Sequence, residues 1–397
     1  MRLLHLQLAD YRNIHRLDID LPPGAAIFVG DNAEGKSNLL EAIYLLATMR
    51  GIRAETDVQL VRQEALDDVL SAARIVAQVE TRAGPLKLEV AIVARPGANG
   101  QLATKTVRVN GVPKRLSDAV GRLTAVLFTA EDLDMLTGAP SLRRRYIDLT
   151  LMQVDQQYGA ARSRFERVLT QRNHLLKRLR EGLARPDEMA YWDGELGKDG
   201  GLIFQRRAAA LSRLGVLARQ AHGELAAGEQ VEVAYQPCLE PLRADLPSMT
   251  ADEAAAAYEA ALAGSLGRDA AAGMTLQGPH RDDIRFSLNG LPAAGFASRA
   301  QQRTIALSLR LAEARFLREV RGESPLLLLD DVLSEMDAGR RRAVLAALRE
   351  ADQMLVTGTD LADFWPGFVA GAAVFAVKEG SVQPLVADLA TPKTADS

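Results

Sequence analysis

One run of ten residues constrains this chain more than any other: Val29-Gly30-Asp31-Asn32-Ala33-Glu34-Gly35-Lys36-Ser37-Asn38. It has the form G-x-x-x-x-G-K-[ST], and its surroundings suit that form. The apolar run Ala25 to Val29 reads as a buried strand, and Leu39 to Leu46 has the apolar spacing of a helix. In a strand–loop–helix the N–H groups at the helix start point into one concavity and favour an anion there. Gly30 and Gly35 permit the tight backbone, Lys36 reaches the β/γ-phosphates and Ser37 offers a hydroxyl to Mg²⁺. Residues Gly30, Asp31, Asn32, Ala33, Glu34, Gly35, Lys36, Ser37 and Asn38 are therefore the expected cradle for a nucleoside triphosphate.

The second half of such a site lies about 290 residues downstream. Pro325-Leu326-Leu327-Leu328-Leu329-Asp330-Asp331 is an apolar strand ending in two acids. Four consecutive leucines predict burial on both faces, as in a parallel sheet, and the carboxyl end of such a strand is where these sheets place ligand chemistry. Asp330 is expected in the Mg²⁺ shell; Asp331 is expected to orient or deprotonate the attacking water, with Lys36 as the other catalytic group. Between the two halves, Ser298 reads as an N-cap with Gln301 as its capping-box partner, opening a helix that runs through Leu317.

The texture changes along the chain. Leu3 to Leu8 and Leu17 to Ile19 alternate as strands, and Leu86 to Val93 does the same. Thr106 to Val109 followed by Asn110-Gly111, and Phe286 to Leu288 followed by Asn289-Gly290, predict hairpins. From Leu142 to Ala263 the chain becomes rich in Ala, Arg, Leu and Glu and predicts long helices. The expected division is an ATPase head formed by 1–144 and 270–397, interrupted by a helical domain at 145–269. There is no repeat and no long heptad run, and the tail Leu389 to Ser397 reads as frayed. At 397 residues, with 48% hydrophobic residues, two or three packed domains are expected. Cys238 is alone and no Cys/His cluster has metal-ligand spacing. The N-terminus lacks the apolar core of a signal peptide and no run is long enough to span a bilayer, so a cytoplasmic protein with no membrane partner is expected.

Five segments together resemble the RecF family of bacterial DNA replication and repair proteins, which are SMC-like, ABC-type ATPases. They are Tyr11-Arg12-Asn13, the phosphate loop, Gly278-Pro279-His280-Arg281-Asp282-Asp283, Ser298 to Thr304, and Leu327 to Asp331 with Ser334-Glu335-Met336-Asp337 behind. The resemblance spans essentially the whole chain. It implies an α/β fold: a P-loop ABC-type ATPase head with an antiparallel β subdomain and an inserted helical domain. It also implies an ATP-dependent homodimer, in which Ser298 and Gln301 contact the partner's nucleotide, and a role in recombination, gap repair and the SOS response alongside RecR/RecO-type mediators. Arg12 and Asn13 join the nucleotide-binding set on the same basis, and Asp337 belongs to the loop that couples the two sites. Thr357 or Thr359 stands where transporter ATPases carry a switch histidine, and His280 is not expected to be a general base. Two departures, Ala300 where the family has glycine and Asp331 in place of the glutamate of transporter-type ATPases (aspartate being ordinary in the RecF family), imply slow hydrolysis that times release.

Net charge is −3, so any surface for nucleic acid must be local. Arg143 to Arg180 holds ten basic residues against three acids. Arg143, Arg144, Arg172, Lys177, Arg178, Arg206 and Arg207 are the expected contacts to phosphates, with Arg53 and Arg62 as the fallback. Aromatics are scarce there, which favours double-stranded DNA or single/double-strand junctions over a stacking platform for single strands. A transporter subunit lacks support because the Leu-Ser-Gly-Gly-Gln signature and an aromatic adenine platform are missing. A long-coiled-coil head needs a far larger insert. An ATP-controlled scaffold with little hydrolysis stays open because of Ala300.

Overall fold

Alternation of apolar and polar residues builds the first sheet. Leu86, Leu88, Val90 and Ile92 are buried while Lys87 between them is exposed, the period-two pattern of a sheet with one wet face. The sheet runs Ile14–Asp20, Arg2–Tyr11, Ala72–Thr81, Gly84–Gly97, Gly100–Val109 and Val112–Lys114, antiparallel throughout. Asn110 and Gly111 both have positive φ, at 50° and 79°, which is what the tight turn of the expected hairpin requires.

The computed structural model describes residues 1–67, 71–97, 100–333, 338–348 and 351–385. They form two compact units, Met1–Ala130 with Arg321–Ser397, and Glu131–Val320. The division drawn from the sequence, at 144/145 and 269/270, falls at different places. The helix at 140–152, the Asp283–Leu288 strand and the helix behind Ser298 all belong to the second unit. Ser334 to Asp337 and the tail from 386 onward lie outside the described residues.

In the first unit a second sheet carries the phosphate loop. Its order is Ser381–Pro384, Ala372–Lys378, Gly24–Val29, Gln353–Gly358, Leu326–Leu329 and Ala125–Phe128. Only Ser381–Pro384 is antiparallel to its neighbour. The four leucines are all buried and lie parallel to strands on both sides, as the unbroken apolar run predicts. The helix Lys36–Thr48 follows the loop and is buried from Leu39 to Thr48.

The second unit holds helices Pro140–Met152, Gln156–Arg180, Ala190–Leu225, Ala251–Ala272 and Arg299–Arg321, with a three-stranded antiparallel sheet. Pro140 opens the first of them, Asp155 caps the second by accepting from Tyr158 N, and Thr250 with Glu253 forms a capping box on the fourth. Gly200 and Gly201 let Ala190–Leu225 approach Ala251–Ala272 closely. A Cβ on Gly201 would lie 2.5 Å from the Ala251 carbonyl oxygen.

Candidate nucleotide-binding site

The phosphate loop leaves the carboxyl end of the Gly24–Val29 strand and needs both of its glycines. A Cβ on Gly30 would strike the Val377 carbonyl oxygen at 2.1 Å. Gly35 has φ +110°, and a Cβ there would meet the Asn13 side chain at 2.9 Å. Asn13 occupies that space: its Nδ2 donates to Ala33 O at 3.2 Å and its Oδ1 accepts from Asn38 at 2.8 Å. The Lys36 ammonium folds over its own loop, donating to Asp31 O at 2.8 Å and to Gly30 O. A cavity of about 480 Å³ adjoins the loop, lined by Gly30, Asp31, Glu34, Thr359, Asp360 and Val377 among others.

Across the sheet, Ser37 Oγ donates to Asp330 Oδ1 at 2.8 Å, joining residues 293 positions apart. Two hard oxygens at this spacing, one anionic, are the donor set of a Mg²⁺ that keeps waters and substrate phosphates for its remaining positions. Among the described residues no three His, Cys, Asp or Glu side chains converge into an all-protein cage, so the fit is to a shared ion of this kind. Thr357 Oγ lies 3.0 Å from the same Asp330 oxygen and accepts from Asp331 N at 2.9 Å. Asp331 is held at φ 52°, a left-handed conformation that Asp and Asn tolerate better than most residues. The structure thereby separates the two threonines: Thr357 is a buried brace for the acidic pair, whereas Thr359 lines the cavity and donates to Asp363.

The Arg12 guanidinium makes a two-pronged contact with Glu41, at 2.9 and 3.0 Å, and donates to Gln59 O. Burial alone would raise the Glu41 carboxyl, but Arg12 and the N–H groups of Ile52 and Arg53 hold it below its ordinary 4.5. Glu41 thus fixes the backbone that aims Arg53 at Asp330 Oδ2, 3.0 Å away. Neither Glu41 nor Arg53 was singled out for this site from the sequence. The one available signal was a single acid inside the apolar run Leu39 to Leu46.

In the second unit, the expected capping box is present. Ser298 N donates to Gln301 Oε1 at 2.8 Å and Gln301 N donates to Ser298 Oγ at 3.3 Å. Ser298 remains exposed at the start of the Arg299–Arg321 helix. Gln301 Nε2 also donates to Glu229.

The basic stripe is largely neutralised from within. Arg172 is fully buried and bonded to Asp193, Asp269 and Thr275 at 2.7–2.8 Å. Arg207 is buried on Asp148 and Asp282, and Arg206 pairs with Asp155 at 3.1 Å. Arg143 pairs with Asp283, and Arg144 donates to the Asp282 carbonyl. These five do not form an open phosphate track, because their counterions come mainly from acids outside the segment that was counted. The fallback fares no better: Arg62 pairs with Asp10 and Glu64, and Arg53 with Asp330. Of the expected contacts, Lys177 and Arg178 remain exposed, Arg178 donating to Leu183 O. The Gly278–Asp283 motif is the hub of this network. Burial pushes His280 down to about 4, and its Nε2 faces Thr275 O, so it is a neutral structural donor.

A parallel sheet centred on the phosphate-loop strand, with an acidic strand bonded to the loop serine and an antiparallel sheet in the same unit, defines the head of an ABC-type ATPase. Residues 2–363 match the family model for the RecF/RecN/SMC N-terminal domain. Within that class the chain belongs to the RecF family. It is similar to the DNA replication and repair protein RecF of Chloroflexus aurantiacus (42% identical, covering 96% of this chain and 99% of that one) and to that of Roseiflexus castenholzii (41%, covering 97% and 100%). A solved structure of the recombination mediator protein RecF bound to ATP, described as in the RecFOR pathway, is 28% identical with a TM-score of 0.85 and covers 97% of both chains. An Smc head bound to the C-winged helix domain of ScpA shares the fold alone, at 12% identity and a TM-score of 0.51, covering 97% of this chain and 98% of that one. Among the described residues no helix is long and apolar enough to cross a membrane.

Proposed function

We propose that this chain is an ATP-dependent, DNA-binding recombination mediator that acts in replication and gap repair, working with RecR/RecO-type partners on duplex or junction DNA. The observation that carries the reading is the Ser37–Asp330 contact, which unites the phosphate loop with the acidic strand. Lys36 and the loop N–H groups bind the phosphates. Bound Mg²⁺ would neutralise charge on the β- and γ-oxygens, with Ser37 and Asp330 as its protein ligands. Asp331, braced by Thr357, orients or deprotonates the attacking water. The exposed Ser298 hydroxyl, at a helix N-terminus that favours anions, meets the γ-phosphate held by a second copy. Hydrolysis is slow and ends the dimer. Ala300 favours a second reading, an ATP-set scaffold, because its methyl group sits in the first turn behind Ser298; single-turnover hydrolysis separates the two.

The direct test is sedimentation with and without ATP and duplex DNA. ATP is expected to convert monomer to dimer, and duplex to co-sediment only then. Ser298→Arg is expected to keep ATP on the monomer and abolish the dimer. A dimer formed by that variant at wild-type ATP concentration would remove Ser298 from the interface.

A further inference from the structure

Internal acids hold most of the arginines expected to meet DNA in the second unit, and a second basic segment lies in the first unit. Arg82 to Arg122 contains eight Lys and Arg residues against only Glu89 and Asp118. This segment builds the far half of the antiparallel sheet and its edge. Lys105 is removed from the tally by Asp57 and the Met49 carbonyl. Lys87, Arg95, Arg108, Lys114 and Arg115 are exposed, and among the described residues none of them forms an ion pair. On this face Glu89 is already paired with Arg74 at 2.9 Å, and Glu80, on the neighbouring strand, with Arg2.

Register places Lys87, Arg95 and Arg108 on one face, Arg108 directly opposite Glu89, whereas Lys114 pairs with Val107 and stands on the edge strand toward the other face. Lys87 and Arg95 are eight residues apart on one strand and so share a face; at ~3.3 Å per residue that is roughly 26 Å. A duplex turn measures about 34 Å, so the row spans most of one. Exposed Thr104 and Thr106 on the neighbouring strand add hydroxyl donors of the kind that contact phosphates. The opposite edge has the reverse sign, with Asp18 and Asp20 around His5. The basic edge also resists strand addition, because Pro113 lacks an N–H and Lys114 is charged. An added β-strand is thus the wrong occupant, and a polyanion without backbone pairing needs is the right one.

We propose that the Gly84–Lys114 half of this sheet, with Arg115, is a sequence-independent docking surface for the phosphate backbone of duplex DNA. The proposal rests on the DNA-binding reading above and relocates its contacts from the helical unit to the ATPase unit.

The test compares wild type, the quadruple variant Lys87→Gln, Arg108→Gln, Lys114→Gln and Arg115→Gln, and the double variant Lys177→Gln with Arg178→Gln. Each is titrated with duplexes of two unrelated sequences, with ATP, across a range of salt. Each lost phosphate contact flattens the slope of log affinity against log salt by about 0.9. The quadruple variant is expected to lose about 3–4 in slope, equally on both sequences, with unchanged melting temperature and ATP-dependent dimer. A second variant carrying only the Lys114 and Arg115 changes is expected to lose about half as much. Wild type that binds duplex while the quadruple variant keeps its slope overturns this surface, the result also expected if an acidic protein segment is the occupant. Wild type that binds no duplex at all overturns the DNA reading itself.

Discussion

Two clusters of charged residues in this protein contain the same chemical groups and do different work. In the helical unit, Arg172 and Arg207 are buried and bonded to carboxylates, Arg172 also to the Thr275 hydroxyl and Arg207 also to the Tyr158 hydroxyl and the Pro279 carbonyl. Burial by itself raises the Asp148 carboxyl, yet Arg207 and Arg162 hold it below its ordinary value. In the ATPase unit, Lys36 bonds only to loop carbonyls and Asp330 shares its oxygens with Ser37, Thr357 and Arg53, at the carboxyl end of a parallel sheet beside an open cavity. A guanidinium closed in by fixed acids is structure; an ammonium held by carbonyls that water or phosphate can replace is a binding group. Local charge count cannot tell them apart, because the count omits distant partners.

The comparison is most easily broken at the acid beside the cradle. Asp331→Asn preserves the left-handed backbone, which Asn tolerates, while removing the base. Hydrolysis is expected to fall by about 10²–10⁴-fold with ATP affinity nearly unchanged, giving a long-lived ATP dimer in single-turnover assays. Unchanged turnover would assign the base elsewhere. Next come the two cations themselves. Arg207→Ala leaves Asp282 buried without its ion pair and Asp148 with Arg162 alone, a loss of roughly 3–5 kcal/mol. In a unit of this size that lowers the melting temperature by on the order of 10 °C. Lys36→Ala should leave melting nearly unchanged without nucleotide but weaken ATP binding by on the order of 10- to 100-fold. Calorimetry on both variants sharpens the contrast; equal effects on stability would erase it.

The smallest effect belongs to His280. Its folded value is about 4 against an ordinary 6.5, mainly because burial opposes the charged ring. Between those values the unfolded chain binds the proton more readily, so stability is present above about pH 6.5 and is lost as pH falls toward about 4. His280→Gln keeps a donor for Thr275 O but cannot titrate, so that part of the acid sensitivity should disappear. Melting curves of both proteins over this window provide the check, and parallel pH profiles would exclude His280 as their source.

Much of the nucleotide site was legible before any fold. The phosphate loop, the four-leucine strand, Asp330 and the Ser298–Gln301 box are local patterns whose physics is contained in a few adjacent residues. The partner of Arg12, Glu41, was not legible because it is 29 positions away. Glu41 and Arg53 escaped notice because their roles arise from a packed loop and not from a motif. Thr357 and Thr359 are equivalent in sequence; Thr357 lies inside the fully buried strand Gln353–Gly358, against the acidic pair, whereas Thr359 comes just after the strand ends and lines the cavity.

The sequence by itself determined that this chain must fold around a buried parallel sheet with a phosphate loop at one strand end, because glycine placement, apolar period and a strand of leucines admit little else. It also determined both Asn-Gly hairpins and the cap of the Arg299–Arg321 helix, since turns and caps are satisfied within a few residues. Tertiary structure alone decided which arginines are free. Asp193, Asp269, Asp282 and Asp283 approach the helices at 140–152, 156–180 and 190–225 only after folding, and electrostatic neutralisation acts through space. The same packing left Lys87, Arg108 and Lys114 exposed and, among the described residues, outside any ion pair, which no count along the chain could have distinguished from the arginines it buried.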